Sequence, residues 1–132
     1  MAKKRILIID DDPDVRQGLD IRLKANDYET LFAADALMAL SIAQKEKPDL
    51  ILLDIGLPGG DGFIVMKRFK MIPSLAAIPI IVVTAKDPLT HKEWSLESGA
   101  EDFFQKPFKN EELIKSIRRL LGEEVRTVWL KT

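Results

Sequence analysis

The sequence predicts an α/β fold in which a doubly wound, five-stranded parallel sheet carries five helices. Short, continuous apolar runs alternate with longer amphipathic segments along the chain. Such runs are typical of strands buried on both faces of a sheet, and parallel strands need crossover connections, which helices provide. The length of 132 residues is that of one domain with a proper hydrophobic core.

The predicted strands are short. They cover residues 5–9, 28–33, 50–53, 78–83 and 102–105. The first, third and fourth are almost entirely aliphatic, which favours burial on both faces, whereas the second is the weakest of the five. We expect the domain to cover residues 1–122, and residues 123–132, which contain Trp129, to be a C-terminal extension or a linker stub. An alternative for these last residues is an apolar stripe that docks on a neighbouring molecule.

The predicted helices begin at residues that can accept hydrogen bonds from the free amides of a first turn. The expected N-caps are Asp12, Asp35, Asp61 and Asn110. A helix of low apolar content is predicted between Pro88 and Ser98, with Gly99 just beyond its end. The residues expected to face inward are Val15, Leu19 and Leu23 in the first helix, Leu37, Leu40, Ile42 and Ala43 in the second, and Leu113, Ile114, Ile117, Leu120 and Leu121 in the last.

Composition and charge exclude several classes of protein. The chain is 46% hydrophobic and 31% charged, which excludes disordered and fibrous classes. It has no cysteine, which excludes a disulfide scaffold, a thiolate metal site and a cysteine nucleophile. No apolar run is long enough for a signal peptide or a membrane span, so we expect a cytoplasmic protein that does not enter membranes. The net charge of −1 gives no general attraction to nucleic acid, although the last helix is basic.

Polar residues with matching chemistry stand at four strand ends. Asp10 and Asp11 follow the first strand, Asp54 the third, Thr84 the fourth and Lys106 the fifth. Ligands of open α/β sheets bind at the carboxyl ends of the strands, so these side chains are expected to converge.

The convergence of these residue types indicates phosphoryl transfer. Three crowded carboxylates repel one another unless a cation lies among them, and carboxylate and carbonyl oxygens suit Mg²⁺. A lysine and a threonine hydroxyl can bind phosphoryl oxygens, which leaves one carboxylate free to act as the nucleophile. The residues together predict transfer of a phosphoryl group to an aspartate.

Four motifs resemble the receiver domains of bacterial two-component response regulators, including chemotaxis regulators. They are residues 6–13 (ILIIDDDP), Asp54 with Leu57-Pro58 and Asp61-Gly62, Val83-Thr84-Ala85, and Lys106-Pro107-Phe108. The resemblance covers residues 4–121. It implies a flavodoxin-like fold with strand order 2-1-3-4-5, and a protein that is not an enzyme beyond catalysing its own phosphorylation and dephosphorylation.

The resemblance also implies a role for each site residue. Asp54 is the expected phosphoacceptor, and its phosphoryl donor is a histidine kinase or a phosphotransfer protein. The implied ligands of Mg²⁺ are Asp10, Asp11, Asp54 and the backbone carbonyl of Gly56. Thr84 and Lys106 are expected to bind phosphoryl oxygens, with a cis peptide bond between Lys106 and Pro107. Thr84 and Phe103 are the expected switch residues, which remodel the surface of the fourth helix, fifth strand and fifth helix and allow a homodimer there.

The sequence departs from the family pattern at two positions, and it leaves two rival functions open. Phe103 has no hydroxyl to donate, and Gly56 leaves the approach of water to Asp54 less obstructed, which favours a short-lived phosphoryl group. One rival is a haloacid-dehalogenase-type phosphatase, in which Asp10 and Asp12 form the acidic pair. The other is a DNA-binding regulator that uses the basic last helix, with Arg118 and Arg119. A purely structural Asp54 is a further alternative.

Overall fold

The centre of the fold is a five-stranded parallel sheet with the order β2-β1-β3-β4-β5. The computed structural model describes residues 2–57 and 62–123. The strands are β1 (Arg5–Ile9), β2 (Glu29–Ala33), β3 (Leu50–Leu53), β4 (Ile80–Thr84) and β5 (Asp102–Gln105). This architecture confirms the predicted fold class and strand order.

Five helices cover the two faces of the sheet. They are α1 (Pro13–Ala25), α2 (Ala36–Glu46), α3 (Gly62–Met71), α4 (Pro88–Glu97) and α5 (Asn110–Leu120). The predicted caps Asp12 and Asp35 are confirmed, because their carboxylates accept from the amides of Asp14 and Met38. Gly99 has a φ of 117°, which suits its place just beyond α4. In the described part of the chain, no helix is both long enough and apolar enough to span a bilayer.

The core consists of two layers, one on each face of the sheet. Successive side chains of a strand point to opposite faces, so Ile80 and Val82 of β4 join one layer while Ile81 and Val83 join the other. The first layer takes its helical residues from α2 and α3, and the second from α1 and α5. The strands β1, β3 and β4 are buried on both sides, which fixes the positions of the residues at their carboxyl ends.

Three details differ from the sequence-based expectations. Asn110 is not an N-cap: α5 starts with it, and the N-cap is Lys109, which has no side-chain capping bond. Leu37 is 80% exposed, because α2 packs through the small residues Ala39 and Ala43 instead. The fourth strand begins at Ile80, since the amide of Ile78 is used in a turn with the carbonyl of Leu75.

Two expectations concern residues outside the described ranges. The proposed cap Asp61 lies in the undescribed stretch 58–61, and of the predicted extension, residues 123–132, only Glu123 is described. The extension and the domain boundary at residue 122 therefore stay predictions.

Candidate functional site

The carboxyl edge of the sheet brings the predicted site residues together. Backbone hydrogen bonds extend the ladder past the strand ends: the amide of Asp54 donates to the carbonyl of Ile9 at 2.9 Å, and that of Lys106 donates to the carbonyl of Thr84 at 2.8 Å. Asp10, Asp54, Thr84 and Lys106 are therefore placed by the sheet itself rather than by loops.

Lys106 lies between two carboxylates. Its Nζ is 2.7 Å from Oδ2 of Asp10 and 3.3 Å from Oδ2 of Asp54. Burial raises the pKa of Asp10, since the desolvation of its carboxyl outweighs the opposing effect of Lys106. For Lys106, burial alone lowers the pKa, but the two carboxylates together outweigh it and the pKa is raised. The ammonium thus stays charged and offsets part of the repulsion between the acids.

Both oxygens of Asp54 have donors directed at them. Its Oδ1 accepts from the hydroxyl of Thr84 at 2.7 Å and from the amide of Gly56 at 2.8 Å. Its Oδ2 faces Lys106. The side chain is 12% exposed, so it is oriented by its partners yet remains reachable from solvent.

Asp10, Asp11 and Asp54 form a cluster that could hold a cation. Each offers one carboxylate oxygen, and these oxygens all lie within 4.8 Å of one another. Asp10 is 3% exposed and Asp11 is exposed, so the cluster extends from the interior to the surface. An all-oxygen donor set open to water on one side suits Mg²⁺, which keeps several of its water ligands. The amide of Gly56 donates to Asp54, and the role of the Gly56 carbonyl as a further ligand stays a prediction.

The predicted switch residues lie on neighbouring strands. Thr84 ends β4 and is 1% exposed, and its hydroxyl already points at Asp54. Phe103 in β5 is 7% exposed and belongs to the core layer that also contains α2 and α3. The peptide bond between Lys106 and Pro107 is cis.

The sequence-based interpretation missed two cations near the site. Arg16 donates from Nη1 to the backbone carbonyl of Asp10 at 2.7 Å, which holds the end of β1. Lys86 lies next to Gly56, because a Cβ added at residue 56 would be 3.5 Å from Cε of Lys86. Its position two residues after Thr84 was the available signal, since the chain leaves the strand there at the carboxyl edge.

Two polar residues at the start of α4 lie outside the site. Asp87 caps α4 by accepting from the amide of Leu89 at 2.9 Å. Nδ1 of His91, the single histidine of the chain, lies 3.0 Å from the carbonyl of Asp87 in the same helix. Neither residue belongs to the cluster at the carboxyl edge.

The sequence and the structure were compared with known proteins. The profile of the response regulator receiver domain matches residues 6–118. The protein PilH of Pseudomonas aeruginosa is 38% identical over 118 residues, which are 89% of this chain and 98% of PilH. The DNA-binding response regulator MtrA of Mycolicibacterium smegmatis is 37% identical over 90% of this chain, which spans only 51% of MtrA.

A solved structure supports the same relationship. The receiver domain of the sensor histidine kinase PA1611 from Pseudomonas aeruginosa superposes with a TM-score of 0.84 at 30% identity, over 92% of this chain and 99% of that one. That crystal structure contains a magnesium ion coordinated in its active-site cleft.

Proposed function

This chain belongs to the response regulator receiver domain family, and we propose that it takes a phosphoryl group onto Asp54 in a two-component signalling system. One observation carries the proposal: Asp54 stands in a cluster of three carboxylates with a lysine and a threonine hydroxyl directed at its own two oxygens. A structural carboxylate has no need of this combination, whereas a phosphoryl acceptor needs every part of it.

The chemistry assigned to each residue follows from its contacts. A carboxylate oxygen of Asp54 forms the new P–O bond, the P–N bond of a donor phosphohistidine breaks, and the donor imidazole nitrogen keeps the electron pair. Lys106 and Thr84, which now contact Asp54, then bind the oxygens of the arriving group. Asp10, Asp11, Asp54 and the carbonyl of Gly56 would hold Mg²⁺, which neutralises charge on the group in transfer.

The test of phosphoryl acceptance is the intact mass of the protein after treatment with acetyl phosphate and Mg²⁺. The wild type is expected to gain the mass of one phosphoryl group, and Asp54→Asn to gain nothing. Asp35→Asn is a matched control, because Asp35 caps a helix and lies outside the site. A gain that persists in Asp54→Asn would overturn the assignment.

We propose that Gly56 shortens the lifetime of the phosphoryl group by leaving space for water, and that Lys86 partly opposes this effect. The exposed Lys86 covers part of the space that the missing side chain leaves. We expect Gly56→Asn to slow dephosphorylation and Lys86→Ala to accelerate it. Loss of the phosphorylated mass with time measures both rates, and equal rates for wild type and Gly56→Asn would refute the role of Gly56.

Receiver domains interact with histidine kinases or phosphotransfer proteins, and we propose such a protein as the donor here. The switch through Thr84 and Phe103, a homodimer through α4, β5 and α5, the absence of intrinsic DNA binding and the cytoplasmic location stay predictions. MtrA is named as a DNA-binding regulator, but this chain spans only about half of it. The dehalogenase-type phosphatase does not fit the family match. Sustained turnover of a phosphate ester by this protein would instead support the phosphatase alternative.

A further inference from the structure

Two aromatic rings join α3 to α4. The ring centroids of Phe63 and Trp94 are 3.7 Å apart, and the ring planes are inclined at 32°. Phe63 is in the first turn of α3 and is 4% exposed, whereas Trp94 is in α4 and is 48% exposed. The contact therefore pairs a core residue with a residue at the surface.

The backbone just before Phe63 contacts the residue that follows Asp54. Phe63 follows Gly62, whose amide donates to the carbonyl of Ile55 at 3.3 Å. A Cβ on Gly62 would lie 2.3 Å from the Cα of Ile55, so the two backbones are in direct contact. Ile55 in turn follows Asp54 and is 5% exposed. A movement of the backbone at Asp54 is passed by contact to the first turn of α3, because packed backbones cannot move independently.

The position of α4 depends on few other side chains. Its one buried residue is Ser95, whose hydroxyl donates to the carbonyl of His91 in the same helix. Among the described residues, none from α4 belongs to either core layer. A helix held this loosely responds to a small change in one contact more than a helix with a large buried face.

We propose that the Phe63–Trp94 ring pair couples the phosphorylation site to α4, in addition to the predicted switch through Thr84 and Phe103. The inference rests on the proposed function, because the signal begins at Asp54. Phosphorylation shifts Asp54 and Ile55, the first turn of α3 follows through the contact between Ile55 and Gly62, and the two rings transfer the shift to α4. An aromatic pair of this kind changes the balance of two states by roughly two- to tenfold.

The test measures the fluorescence emission of Trp94. The chain has two tryptophans, so Trp129→Phe leaves Trp94 as the sole reporter. Beryllium fluoride with Mg²⁺, a stable mimic of the phosphoryl group, is added to this variant, to its Asp54→Asn derivative and to its Phe63→Leu derivative. We expect a saturable change in emission in the first protein and none in the other two. Ile64→Leu, next to Phe63 but 51% exposed, is the matched control and is expected to keep the response.

Two further measurements separate coupling from folding and from phosphoryl acceptance. Intact mass after acetyl phosphate is expected to show that Phe63→Leu still accepts the group. Hydrogen exchange is expected to show faster exchange in α4 of this variant and unchanged exchange in α5. An unaltered emission response in Phe63→Leu would overturn the coupling, as would a silent Trp94 in a protein that gains the phosphoryl mass. If no protein gains the mass, the proposed function fails, and the coupling from Asp54 fails with it.

Discussion

The two helices α4 and α5 are similar in length but are held in very different ways. α5 buries Leu113, Ile114 and Ile117 in the core layer that it shares with α1. α4 buries one serine and leaves its three large apolar residues substantially exposed, including Leu89 at 95%. Apolar burial is the main favourable contribution to folding, so α5 is anchored by the core, whereas α4 contributes little apolar burial and contacts β5 and Phe63 of α3. The two helices therefore differ greatly in the amount of apolar surface that holds them in place.

The largest effect that would test this contrast is the removal of a core side chain from α5. Ile117 is fully buried, so Ile117→Ala is expected to lower the free energy of unfolding by about 2–5 kcal/mol through lost burial and a cavity. Denaturant unfolding followed by circular dichroism measures the change. Leu89→Ala in α4 is the matched control and is expected to stay within about 0.5 kcal/mol. Similar losses for the two variants would mean that α4 is held as firmly as α5.

A second prediction removes the N-cap of α4 and introduces one at α5. Asp87 caps α4, so Asp87→Ala is expected to cost about 1 kcal/mol, concentrated in faster hydrogen exchange within α4. Lys109 has the extended backbone of an N-cap without a capping bond, so Lys109→Ser is expected to add up to about 1 kcal/mol. Thermal unfolding of both variants measures the change in overall stability that each substitution causes. No gain from Lys109→Ser would show that water already serves the first turn of α5 equally well.

The third effect, which is lost only at alkaline pH, concerns the C-terminal end of α5. The hydroxyl of Tyr28 donates to Glu123 at 2.8 Å, and burial followed by this carboxylate raises the pKa of Tyr28 to about 12. The folded state then keeps a proton that the unfolded chain loses near pH 10. This contribution to stability is complete below pH 10 and is lost as the pH rises towards 12.

Absorbance of the phenolate measures this titration directly, because Tyr28 is the single tyrosine of the chain. We expect Glu123→Gln to lower the pKa of Tyr28 without restoring its ordinary value, since burial remains. A midpoint near 10 in the wild type would mean that this end of α5 is not anchored to Tyr28.

The same contrast explains how much could be predicted from the sequence. The sheet and the convergence of Asp10, Asp54, Thr84 and Lys106 could be predicted, because continuous apolar runs mark buried strands and parallel strands end at one edge. The strand order was predicted from the resemblance to receiver domains. The inward face of α5 was also predicted, since its apolar residues recur at helical spacing.

The other contacts depend on tertiary packing, which has no periodic signal. The contact of Trp94 with Phe63 and the position of Lys86 next to Gly56 arise only when the chain is folded. Leu37 was expected inside because it is large, but α2 packs closely through Ala39 and Ala43 and leaves Leu37 outside.

The outer strand β5 has a consequence for how copies of this chain meet. It pairs with β4 on one side alone, and an unpaired edge is a template for strand addition and fibril formation. Here β5 is four residues long, and Pro107, which has no amide proton to donate, follows two residues after the strand. A short edge that ends near a proline is a poor template for strand addition, which leaves side-chain faces as the surfaces for association.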